Sequence, residues 1–90
     1  MALKIDSVEK VSVTTTAKDV AVNYRAFIIE NCTAEKTVYF KEKDGVAVTV
    51  DNGFELIGQK IFDKVLRAKT LSIKGSEACD VRILYVTEEE

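Results

Sequence analysis

Short runs of β-branched and aromatic residues, each ended by glycine or by small polar side chains, account for most of the chain. KVSVTTTA (10–17), RAFIIEN (25–31) and TVYFK (37–41) are dense in Val, Ile, Thr, Phe and Tyr, the side chains that suit a pleated, half-buried surface. VAVTV (46–50), TLSIK (70–74) and DVRILYV (80–86) continue the series, with Leu71 and Ile73 on one side of their run. Gly45 in KDG, Gly53 in DNG, Gly58 in IGQ and Gly75 in KGS fall between the runs as expected turn or bulge positions. Asp44-Gly45 and Asn52-Gly53 read as hairpin turns, since Asn or Asp before Gly fills the positive-φ positions that tight turns need. Short strands recurring at this spacing predict an all-β chain folded as one small sandwich of about seven or eight strands. The ends, 1–7 and 87–90, are expected to fray.

One stretch departs from that pattern. Between Leu56 and Ala68, Ile57, Ile61, Val65 and Ala68 recur at spacings of three and four, flanked by Phe62 and Leu66, which is the period of an amphipathic helix. Gly58 interrupts the first turn of such a helix, so a short helix over 57–68 and a strand over 60–66 stand as competing expectations.

Alternation within the strongest strands carries a further message. In 80–86, Val81, Ile83 and Tyr85 share one face and Arg82, Leu84 and Val86 the other, and both faces are largely apolar. Ala26 and Ile28 oppose Phe27 and Ile29 in the same way. A two-layer sandwich buries one face of each sheet, so the second apolar face needs a cover from a loop, a helix or a neighbouring subunit. Phe27, Ile29, Leu84 and Val86 are the expected residues of an oligomer interface. Gly45, Asn52, Gly53 and Gly75 are the expected structural turn positions.

Composition narrows the function classes. Ninety residues, 47% of them apolar and 31% charged, make one domain with a small core. No apolar window approaches the length of a membrane helix or a signal peptide, and the chain is expected in the cytoplasm. The net charge of −2 gives no attraction to nucleic acid. Cys32 and Cys79 are too far apart in sequence for a metal knuckle or redox pair, and they read as free core thiols, with a disulfide between them as the alternative. The chain has no histidine, the commonest general base and metal ligand.

Candidate chemistry is correspondingly thin. Asp44 and Asp51 flank one run, but paired carboxylates without an aromatic platform for a sugar are weak glycosidase candidates. KEKDGVAV puts lysines where a calcium loop needs oxygen ligands, and no phosphate-cradling glycine loop occurs. Lys36, Lys41 and Lys43 lie near Tyr39 and Phe40, yet Glu35, Glu42 and Asp44 interleave with them and cancel the field. No catalytic residue, cofactor, metal or small-molecule substrate is expected. A carbohydrate- or protein-binding module is the alternative class, with Tyr24, Tyr39 and Tyr85 as its aromatic candidates.

The order of segments adds a resemblance. A TTTA-bearing first strand leads to RAFIIEN ending in Asn31, then Val38-Tyr39, then Asn52-Gly53-Phe54 with Leu56, and a closing strand with Asp80 to Ile83 and Val86. Over about residues 8–87 this layout resembles the small β-sandwich virion structural proteins of tailed bacteriophages and prophages, of head-decoration or head-associated type. It departs from them at ELIGQKIF, where such proteins usually carry a more broken glycine- or proline-rich turn. The resemblance implies a jelly-roll-like sandwich without enzymatic activity. It also implies a homo-oligomer, a trimer among the expected forms, that docks on capsid or head–tail proteins, first in the host cytoplasm and then in the virion.

Overall fold

The computed structural model describes residues 2–89. Eight strands follow one another: β1 (Ala2–Val13), β2 (Lys18–Ala21), β3 (Ala26–Asn31), β4 (Thr37–Glu42), β5 (Phe54–Ile57), β6 (Ile61–Arg67), β7 (Thr70–Gly75) and β8 (Cys79–Glu89). They form two four-stranded sheets in the orders β1-β8-β3-β6 and β2-β7-β4-β5. Every pairing is antiparallel, and β1 pairs β8, β2 pairs β7, β3 pairs β6 and β4 pairs β5. The chain is thus one long hairpin, β1 to β4 going out and β5 to β8 returning, rolled so that β3 also meets β8 and β4 meets β7. That connectivity is a jelly roll.

Alternation sorts the side chains. Val11 and Val13 of β1, Phe27 and Ile29 of β3, and Val81, Ile83 and Tyr85 of β8 point inward from the first sheet, against Val20, Val38, Phe40, Leu56, Leu71 and Ile73 of the second. Asn31 is the polar member of the interior, and it is fully hydrogen-bonded. Its Nδ2 donates to the carbonyls of Lys36 and Leu56, each at 2.9 Å, and its Oδ1 accepts from the Thr33 amide at 3.0 Å. One side chain therefore ties the end of β3 to the following turn and to β5.

Several expectations are corrected. Residues 57–68 hold no helix: 57 ends β5, Gly58 turns the chain at φ +68°, and 61–67 form β6. VAVTV is not a strand, and neither Asp44-Gly45 nor Asn52-Gly53 joins a tight hairpin. Both lie within one connection between β4 and β5, over 43–53. That connection folds back over the outer face of the second sheet, where Val48 is 2% exposed and its amide donates to Ser72 Oγ at 2.9 Å. The ends are strand as well, because 2–5 pair with 86–89 in the β1–β8 ladder, while Met1 and Glu90 lie outside the described residues.

The expected structural residues have distinct roles. Gly45 takes φ +101° in open space, so its requirement is conformational. Gly53 has no positive φ; a Cβ there would lie 2.5 Å from Val48 Cγ2 and 3.2 Å from Tyr39 Cβ. Gly75 is also required for space, since a Cβ would lie 2.4 Å from the Glu77 carbonyl oxygen and 2.6 Å from Cys79 Sγ. Asn52 shapes the loop itself: its Oδ1 accepts from the Thr49 amide at 2.6 Å and its Nδ2 donates to the Ala47 carbonyl at 3.3 Å.

Candidate interaction surface

The outer face of the β1-β8-β3-β6 sheet is where an apolar surface remains uncovered. Leu84 pairs with Val8 on one side and Ile28 on the other, giving a continuous apolar row across three strands. Strict alternation would place Ile5 and Val8 on opposite faces, being three residues apart. A bulge between Ile5 and Ser7 resets the register so that Ile5 pairs with Val86 and joins the same face. Ile5 and Val8 are 56% and 53% exposed, and Ile28 and Leu84 are half-buried. The next row is charged: Lys10 pairs with Arg82, and Arg82 pairs with Glu30, with Arg82 Nη1 3.6 Å from Glu30 Oε1. An apolar centre beside a charged rim is the anatomy of a contact surface.

The expected interface residues are divided by this geometry. Phe27 and Ile29 are wholly buried and face Tyr85 and Ile83 in the core, so neither can meet a partner. Their place on the outer face belongs to Ile28. Leu84 does lie on the outer face, and Val86 follows it there, although Val86 is only 6% exposed. Combining Phe27 and Ile29 with Leu84 and Val86 mixed two faces, because register, which decides how β3 aligns with β8, sets Phe27 opposite Tyr85. Sequence reasoning missed Ile5 and Val8, because both precede the run 10–17 read as the first strand and the bulge that turns Ile5 cannot be read from alternation.

A second apolar feature closes the side where β5 and β6 meet. Phe40, Phe54 and Phe62 form a ring cluster with centroids 5.5–6.2 Å apart, and Phe54 remains 62% exposed. Beside it lies a crevice of about 140 Å³ lined by Phe27, Leu66 and Leu71 as well as by Phe40 and Phe54.

Tyr24 sits at an exposed turn with φ +61°, Tyr39 is half-buried, and Tyr85 is buried in the core, so the three do not make one aromatic platform. Both cysteines are free thiols. Burial, followed by the nearby carboxylates of Glu30 and Asp80 respectively, pushes the Cys32 and Cys79 thiols up, which disfavours the nucleophilic thiolate. Among the described residues no three His, Cys, Asp or Glu side chains are grouped to hold a metal ion. No family model matches the chain, and no curated protein or solved structure matches it either.

Proposed function

We propose that the protein is a non-enzymatic structural component that works by self-association and by docking on other proteins of an assembly, in the manner of the phage virion proteins its segment order resembles. The observation that supports this is the apolar row Val8–Leu84–Ile28 with Ile5, presented on the outer sheet face beside the charged row of Lys10, Arg82 and Glu30. Burying such a face against another sheet follows the same rule that builds the interior of the sandwich. The jelly roll is compatible with this role, being a fold of capsid domains, but lectins use it as well, so the argument rests on the surface.

Sedimentation equilibrium on the full chain from low to high micromolar concentration tests the reading. A reversible oligomer is expected, and Leu84→Asp should return it to monomer without loss of the β-sheet circular dichroism spectrum. A wild-type chain that stays monomeric throughout and also ignores phage capsids would overturn it.

A further inference from the structure

We propose that the cavity between Arg25, Arg67 and the Asp6 bulge is a binding site for a single carboxylate group, carried by a small organic acid or by the end of a partner chain. The cavity has a volume of about 310 Å³ and is lined by Asp6, Arg25, Ala26, Arg67, Tyr85, Val86 and Thr87. That size is at the lower end of the range for small-ligand sites. It lies at one end of the first sheet and shares Arg67 with the crevice beside the Phe40–Phe54–Phe62 cluster.

The two guanidiniums are positioned by different means. Asn23 and Tyr24 turn through positive φ, which delivers Arg25 to the start of β3 and lays its guanidinium 3.5 Å from the centroid of the Tyr85 ring. The Tyr85 hydroxyl is fixed in turn by donating to Glu9 Oε1 at 2.7 Å. Arg67 ends β6 opposite Ala26, and its Nη1 reaches the Tyr24 carbonyl at 3.5 Å. Among the described residues neither arginine forms an ion pair, although five pairs occur elsewhere on the surface. Two forked donor groups therefore line one cavity with capacity to spare.

Charge decides which oxyanion fits. Arg25 and Arg67 contribute two positive charges and Asp6 one negative, so the lining carries 2 − 1 = +1. A carboxylate matches that single charge, whereas a phosphate dianion would exceed it; Asp6 opposes either anion, and the doubly charged one more strongly. Ala26 and Val86 supply a small apolar wall for the carbon body of the acid, and the Thr87 hydroxyl adds a hydrogen-bonding group.

Amide chemical-shift titration of the isotope-labelled full chain tests the proposal, with benzoate, benzamide, inorganic phosphate and a short peptide with a free C-terminus as probes. Saturable shifts at Arg25, Ala26, Arg67 and Thr87 are expected with benzoate, with the peptide, or with both. Benzoate alone would identify a small acid as the ligand, and the peptide alone a chain terminus. Benzamide should give none. Arg67→Gln should weaken binding by about tenfold or more, and Arg67→Lys, which keeps the charge and loses the fork, by less. Should Arg67→Gln fail to fold, Arg25→Gln reports the same loss. Shifts that do not saturate, a folded arginine variant that binds like wild type, or phosphate binding more tightly than the carboxylates would each overturn it.

Discussion

Asn31 shows how one residue can fix the geometry of three segments. Its amide satisfies two carbonyls and one backbone N–H in the interior, so Asn31→Ala should cost about 2–4 kcal/mol, mostly through buried groups left without partners. Asn31→Asp keeps the volume but turns a donor into an acceptor facing two carbonyl oxygens, and at neutral pH it should be no more stable. Urea unfolding of both variants checks this; an Asp variant close to wild type would mean that volume, not hydrogen bonding, is what the site needs. Three other side chains give the protein an alkaline limit. Burial first, then neighbouring carboxylates, raise Cys32 and Cys79 above 9.0, and burial with the Glu9 hydrogen bond raises Tyr85 above 10.0. The folded chain therefore holds these protons more tightly than the unfolded chain does. Their contribution is complete below pH 9 and is lost as pH climbs through the unfolded values towards the folded ones. The urea midpoint should fall above about pH 9, and Cys32→Ala/Cys79→Ala should delay the fall. An unchanged onset in that double variant would exclude the thiols as its cause.

At the scale of elements, the loop over 43–53 is the part most exposed to a single change. Ser72 faces outward from β7 yet is wholly buried, because Val48 and its amide lie over it. Ser72→Ala should leave the Val48 N–H without its acceptor and cost about 1–2 kcal/mol. Hydrogen exchange should quicken at Val48 while the β4–β7 ladder stays protected, and equal loosening of both would show that the loop and the sheet open as one unit. This loop was illegible in the sequence, because VAVTV has the composition of a strand and the two Gly turns looked like separate hairpins. By contrast β3, β4, β7 and β8 were legible, each being a compact run of β-branched and aromatic residues. The 57–68 segment misled for a geometric reason. A spacing of four returns to the same face in a strand as well as in a helix, so Phe62 and Leu66 face inward while Ile61 and Val65 stay exposed. The one spacing of three, from Val65 to Ala68, runs past the end of β6 at Arg67.

For the whole molecule, the two faces of one sheet differ: one is the core and the other carries the exposed apolar row. The composition already implied that both sides of β3 and β8 are apolar, but assigning residues to sides required the register, and the bulge beside Asp6 was needed to bring Ile5 round. Phe27 is wholly buried in the core, and Phe27→Ala should cost about 3–5 kcal/mol. Against a total stability of about 5–15 kcal/mol, that loss should appear as a large drop in melting temperature at every protein concentration. Leu84→Asp acts on the opposite face. If self-association buries that face, the folded state is linked by mass action to the amount of protein, and the wild-type melting temperature should rise with concentration. The Leu84→Asp protein should melt at one temperature whatever its concentration, near the wild-type value at high dilution. Phe27→Ala, if it folds, should keep the wild-type concentration dependence at a lower temperature. Scanning calorimetry over a hundredfold concentration range distinguishes these cases. A wild-type melting temperature that does not move would show that the Val8–Leu84–Ile28 row is an exposed surface of a monomer.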